Sequence, residues 1–154
     1  MSRTRTAKDA RGYFGVAAWR PKTQDNVGTL WRSAHIFGAA FLATVGARYR
    51  KQPSDTLASY RHVPLFSFVD PADFWDHIPH DCRPVAVEID SRAKPVGDFV
   101  HPQRAVYILG PEDGNLPGLI LDRAWAVVQL PGEFCLNLAV AGSLIMYDRI
   151  NKQR

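Results

Sequence analysis

The sequence predicts a single α/β domain with a mostly parallel sheet flanked by helices. Three observations carry this prediction. Short apolar runs alternate with segments of helical periodicity along the chain. Several runs, 84–89 (apolar but for Glu88) and 105–109 among them, are near-continuously apolar rather than alternating, as strands covered on both faces are. Three of the runs also lead directly into loops of glycine, asparagine and acidic residues. In a parallel sheet such loops gather at the carboxyl ends of the strands, where ligands bind.

Residues 1–11 are polar and basic and are expected to form a flexible arm ahead of a domain over 12–154. Tyr13–Trp19 reads as the first buried strand. Pro21 and Asp25-Asn26 signal a turn and a helix start, with Asn26 as the expected cap. Val27, Leu30, Trp31, Ala34 and Phe37 recur at helical spacing, and Gly38 suits the C-terminal cap. Arg32 then falls about one and a half turns into that helix. Residues 40–45 form a second strand, 46–63 a basic irregular stretch around Pro53, and 64–69 a short third strand. A short helix over 70–77 is stopped by Pro79. Strands over 84–89 and 105–109, a helical turn over 116–121 and a last strand over 125–130 follow. A helix over about 136–150 ends the pattern, with no repeat and no second domain.

That last helix is unusual, because between positions 136 and 147 only Asn137 and Ser143 are distinctly polar. A helix apolar nearly all round must be covered on most sides. Core burial accounts for one face, and a subunit interface is the expected second cover. Ala139, Ala141, Gly142 and Ser143 are small enough to let another backbone approach, so a homodimer is expected.

Composition narrows the function classes. Hydrophobic content of 46% and charged content of 22% are ordinary for a soluble globular domain. No stretch approaches the roughly 20 apolar residues of a membrane span, and no signal-peptide pattern opens the chain. Cys82 and Cys135 form no metal or redox spacing, so reduced thiols in a cytoplasm are expected. His77, His80 and Cys82 are poor metal candidates, since Pro79 breaks their register and a fourth ligand is missing. The net charge of +4 permits an anionic partner. Its distribution says more: Arg3, Arg5, Lys8 and Arg11 form one cluster, Arg20 and Lys22 a second, and Arg48, Arg50 and Lys51 a third. Any one alone reads as solvated surface, but three beside ligand loops point to RNA phosphates.

The three motifs are Asn26-Val-Gly-Thr-Leu-Trp-Arg32, continuing to Gly38, then Leu109-Gly-Pro-Glu-Asp-Gly114, and Leu130-Pro-Gly-Glu-Phe-Cys-Leu-Asn137. The first alone is an ordinary capped amphipathic helix, and the second alone a tight Asp-Gly turn. The second matches neither the dinucleotide fingerprint nor the phosphate loop. In this order the three resemble the motifs of the SPOUT-class RNA methyltransferases, in the TrmH-like branch. The small stand-alone tRNA enzymes of the TrmL type are the most similar in kind.

The resemblance implies methyl transfer from S-adenosylmethionine to a ribose 2′-hydroxyl, of tRNA first (the anticodon wobble position being one such target) and ribosomal RNA second. A non-catalytic RNA-binding module of the same fold is the alternative from another class. By the same resemblance Asn26, Arg32, Glu112 and Asn137 are the catalytic group. Glu88, Leu109, Gly110, Glu112, Leu130, Cys135 and Leu136 are expected around the cofactor. Arg20, Lys22, Arg32, Arg48, Arg50 and Lys51 are expected on RNA. The family also implies a deep C-terminal trefoil knot, which general rules of chain connectivity disfavour. One departure stands out: Cys135 occupies a position where the family usually carries serine, a stronger hydrogen-bond partner.

Overall fold

The computed structural model describes residues 12–49 and 58–153. The expected arm over 1–11, and Arg50 and Lys51 of the third basic cluster, lie outside the described residues. Seven strands form one sheet: β1 (Tyr13–Trp19), β2 (Phe41–Val45), β3 (Leu65–Phe68), β4 (Arg83–Val87), β5 (Lys94–Pro95), β6 (Arg104–Leu109) and β7 (Ala126–Gln129). Their order is β3-β2-β1-β6-β4-β7-β5, and every pairing is parallel. Helices α1 (Gln24–Phe37) and α4 (Leu138–Lys152) cover one face, while α2 (Pro71–His77) and α3 (Gly118–Arg123) cover the other. This explains the continuous apolar runs. Along β1, Phe14, Val16 and Ala18 enter one core while Ala17 and Trp19 enter the other. The two-residue β5 carries no apolar run, so periodicity gave no sign of it.

Because all strands run the same way, their carboxyl ends share one edge of the sheet. Strand order reverses where β1 meets β6, and crevices open at such points.

Helix α1 starts earlier than its motif suggests. The hydroxyl of Thr23, in extended backbone, accepts from the Asn26 N–H at 3.3 Å, so Thr23 is the cap. Asn26 is therefore inside the helix and its side chain caps nothing, and Arg32 lies about 12 Å beyond Gln24, deeper than one and a half turns. Gly38 closes the helix in the left-handed conformation, at φ 82°.

Helix α4 also departs from expectation, in which face does what. Its small residues serve contacts within the chain. A methyl group on Gly142 would sit 2.3 Å from Leu30 Cδ1 and 2.9 Å from Leu109 Cδ1. Ala139 is buried, and Ser143 Oγ lies 2.8 Å from Ser33 Oγ on α1. The outward stripe is instead Val140, Leu144 and Tyr147, all large and exposed.

Near its end α4 carries Arg149, a guanidinium with only 2% of its surface accessible. Nη1 donates to the carbonyl of Pro102 at 2.7 Å and to the Tyr107 hydroxyl at 3.0 Å, while Nη2 donates to the carbonyl of Gln103 at 2.8 Å. The ring of Phe14 packs under it. Beside it His101 bridges the Tyr107 hydroxyl and Asp148 at 2.7 Å each. Desolvation pushes the His101 pKa below its ordinary value, although Asp148 opposes this. Arg149→Met keeps the bulk but strands two carbonyls and a hydroxyl. We expect it to lower unfolding free energy by about 2 kcal/mol. The denaturation midpoint should fall at unchanged slope, and an unchanged midpoint would mean that water replaces all three bonds.

Candidate active site

The carboxyl edge of the sheet holds two adjoining features, a polar relay and an apolar cleft. The relay begins at the start of α4. There Asn137 Oδ1 accepts from the backbone N–H groups of Ala139 and Val140, at 2.9 and 3.3 Å, capping the helix. Its Nδ2 donates to Asn26 Oδ1 at 2.9 Å, and Asn26 Nδ2 donates to Glu112 Oε1 at 2.6 Å. Glu112 Oε2 then accepts from the Lys22 backbone N–H at 3.2 Å, and the Lys22 ammonium is paired with Asp113. One side chain from each motif thus forms a directional chain of hydrogen bonds. The amide orientations are fixed by it, since the capping oxygen of Asn137 leaves only its NH₂ for Asn26. Both oxygens of Glu112 are occupied, which suits a brace between loops better than a free base.

The cleft lies beside the relay and is small, with a cavity volume of about 50 Å³. Glu88, Leu109, Gly110, Leu130, Cys135 and Leu136 all line it. Glu112 does not, because its carboxylate turns to Asn26. Glu88 follows the end of β4 and is 8% exposed. It accepts from Ile89 N at 2.9 Å with one oxygen and from Leu116 N at 2.8 Å with the other. These bonds tie the end of β4 to the second motif loop. A Cβ on Gly110 would stand 3.4 Å from Glu88 Oε2, an ordinary contact, so Gly110 packs closely against Glu88. Phe134, Leu138 and Ala141 are among the further lining residues, and sequence reasoning did not place them around the cofactor. The one available signal was Phe134, an aromatic residue in a loop, and it is 82% exposed at the rim.

The Cys135 thiol stands 4.0 Å from Glu88 Oε1 and 4.0 Å from Asn115 Oδ1. Partial desolvation, followed by the Glu88 carboxylate, raises its pKa, which disfavours the nucleophilic thiolate.

Arg32 stands apart from both features, exposed on α1 and paired with no described residue. Arg20, Lys22 and Arg48 are exposed in the segments flanking α1, which form the same edge of the sheet. Arg20 adopts a left-handed φ of 42°, unusual for a residue with a side chain, and its guanidinium lies over the Trp19 ring. Among the described residues no group of three or more His, Cys, Asp or Glu could hold a metal, and no helix is long and apolar enough to cross a membrane.

A model of the SpoU rRNA Methylase family matches residues 13–147. No curated protein matches the chain. Among solved structures, the SpoU methyltransferase AviRb from Streptomyces viridochromogenes superposes with a TM-score of 0.81 at 22% identity, over 92% of this chain and 60% of that one. AviRb has also been solved in complex with AdoMet. The A. aeolicus TrmH/SpoU tRNA modifying enzyme gives 0.81 at 17% identity, over 93% of this chain and 76% of that one. A structure concerned with the 2-OH methylation of C/U34 on tRNA gives 0.77 at 22% identity, over 93% and 97% of the two chains. At these identities the superpositions establish the shared fold. The chain spans 60% of the length of AviRb and nearly all of the last structure.

Proposed function

The chain belongs to the SpoU rRNA Methylase family, the TrmH-like SPOUT group, and from that premise we propose that it methylates ribose 2′-hydroxyls of RNA, using S-adenosylmethionine. The observation that carries the reading is the junction of three motifs in one relay, Asn137 to Asn26 to Glu112, against a mainly apolar cleft. The cleft fits the cofactor in two respects. Leu109, Leu130 and Leu138 offer apolar walls to an adenine ring, and Gly110 adds backbone without a side chain to the same wall. Glu88, Leu109, Gly110, Leu130, Cys135 and Leu136 would hold it. S-adenosylmethionine supplies an electrophilic methyl group on sulfur.

The chain's own residues supply position. The relay braces the loops so that the nucleotide meets a fixed geometry, and such preorganisation is a large source of rate acceleration. A guanidinium is a permanent cation near neutral pH and a poor base. Arg32 therefore acts by binding a substrate phosphate and polarising the 2′-hydroxyl beside it. Arg20, Lys22 and Arg48 supply further phosphate contacts along that edge, and Arg50 and Lys51, outside the described residues, add charge to the same basic cluster of the sequence. tRNA is the favoured substrate, because the structure concerned with C/U34 of tRNA matches this chain almost end to end. Ribosomal RNA is the second substrate reading. The working form is a homodimer through the exposed stripe of α4, with the knot of its family at the cofactor loops.

Calorimetry with S-adenosylmethionine or its demethylated product should report one site per subunit, and Cys135→Ser should retain it. Alkylation of Cys135 should slow when the cofactor is present, because the thiol lies in the cleft wall. No binding at millimolar cofactor would leave only the non-catalytic RNA-binding reading. The substrate is identified by nucleoside mass spectrometry of RNA from cells lacking and regaining the gene. A 2′-O-methylated nucleoside should disappear and return.

A further inference from the structure

At the opposite edge of the sheet the same strands build a second surface. Three strands that deliver a cleft residue at their carboxyl ends carry a groove residue at their amino ends. On β4 the pair is Arg83 and Glu88, on β6 Arg104 and Leu109, and around β7 Trp125 and Leu130. The groove they share with His80 and His101 is wide, at about 770 Å³. Trp125 stands between this groove and a second hollow of about 360 Å³ that includes Arg92 and Lys94. The indole is 48% exposed, a large apolar surface for a position beside two hollows. The Arg83 guanidinium lies 4.9 Å from the centre of its ring. Phe99 meets the same ring edge-on at 6.4 Å, which fixes its orientation from the core side.

The charge around the indole is selective. In the first groove Arg83 and Arg104 face one carboxylate, Asp81, which is engaged by Arg104 at 3.2 Å and by the Tyr13 hydroxyl at 3.0 Å. Arg83 makes no ion pair with a described residue. In the second hollow Arg92 is held by Asp90 and Asp122, Lys94 is exposed without an ion pair among the described residues, and Asp98 is the one carboxylate in the lining. A half-exposed indole with a guanidinium over its ring and a lysine in the adjoining hollow, neither cation in an ion pair among the described residues, offers an unpaired nucleobase a ring to stack on and its flanking phosphates two cations. A protein partner would favour an apolar patch with few charges at its centre.

We propose that this amino-edge groove is a second RNA-contact site, in which an unpaired base stacks on Trp125 while Arg83 and Lys94 hold the adjoining phosphates. The inference rests on the RNA-methyltransferase reading for its substrate class. The strand between the two sites is short. From Trp125 to Leu130 is about 17 Å at strand rise, a distance about five base pairs of duplex cover. An RNA of stem-loop size or larger can therefore reach both edges of one subunit. The catalytic edge would select the nucleotide to be modified, and the groove would select for an unpaired base at a fixed distance from it.

Binding is measured by anisotropy with two probes, bulk tRNA and a labelled single strand of about 12 nucleotides. Trp125→Ala should weaken the binding of both about 10-fold, the scale of losing one stacked base. Cofactor affinity and thermal midpoint should stay at parental values. Trp125→Phe should keep most of the affinity but lose the RNA-dependent quench of tryptophan fluorescence. Arg83→Ala should reduce the salt dependence of binding by about one phosphate contact. In methylation assays Trp125→Ala should raise KM for RNA and leave kcat unchanged. Parental RNA affinity in Trp125→Ala overturns the proposal, including the case in which this surface serves a protein. The two readings fail separately. If the parental chain methylates no RNA while Trp125→Ala still weakens RNA binding, only the enzyme reading falls.

Discussion

Arg32→Ala is expected to lower methyl transfer about 100-fold or more while leaving the fold and cofactor affinity intact, the scale of losing one positioned electrostatic group. The location of the side chain makes the separation clean. Arg32 is on the exposed face of α1, away from Val27, Leu30, Trp31 and Ala34, which carry that helix's packing. It touches neither the relay nor the cleft lining, so its removal disturbs no contact that holds the cofactor loops. What is lost is a planar fork able to bind phosphate through two hydrogen bonds. Arg32→Lys keeps the charge without the fork and should recover only part of the rate. The measurement is single-turnover methylation alongside calorimetry for the cofactor. A parental rate in Arg32→Ala would remove Arg32 from the mechanism and leave the fold and family untouched. Loss of cofactor binding instead would place it in the cleft's support.

Leu144→Asp is expected to convert a dimer into a folded monomer. Val140, Leu144 and Tyr147 recur at helical spacing along the outward face of α4, and they are 46%, 41% and 55% exposed. Such a stripe beside the cofactor loops is the natural self-complementary surface of a two-fold assembly. In a two-fold interface one substitution enters twice. Each uncompensated carboxylate costs several kcal/mol when buried, so the pair should weaken association by more than about 1,000-fold. In the monomer the aspartate reaches water, and the helix still packs through Leu138, Gly142, Ile145 and Met146. Light scattering should give the dimer mass for the parental chain and the monomer mass for the variant, with matching circular dichroism. A parental monomer across micromolar concentrations rejects the dimer. An unfolded variant would show that Leu144 belongs to the core after all.

The contrast at Leu144 illustrates how far the sequence reaches. Hydrophobic content along 136–147 predicted that the last helix is covered on most sides, because apolar surface tends to leave water wherever it lies. It did not say which residues face which cover. In one dimension Gly142 and Ser143 looked like room for a second subunit, and only the packing of Leu30 and Leu109 against Gly142 gave that room to this chain. Asn26 shows the same limit at a helix start. Thr23 and Asn26 are both good caps, but the Asn26 oxygen that could cap accepts instead from Asn137, 111 residues away, while its NH₂ donates to Glu112.

By itself the sequence determined the alternation of strands and helices and hence the parallel sheet, since periodicity and continuous apolar runs are local properties read directly from neighbours. It also marked the three loops, because glycine and asparagine are demanded by local backbone geometry. Tertiary structure alone decided that Asn137, Asn26 and Glu112 form one directed relay, that Glu112 faces away from the cleft, and that Arg149 is buried among carbonyls. It alone set Trp125 beside Arg83 at the far edge. Those facts depend on strand order and register, which bring together residues distant in the chain, and the free energy that fixes them comes from long-range burial and hydrogen bonding that no local pattern records.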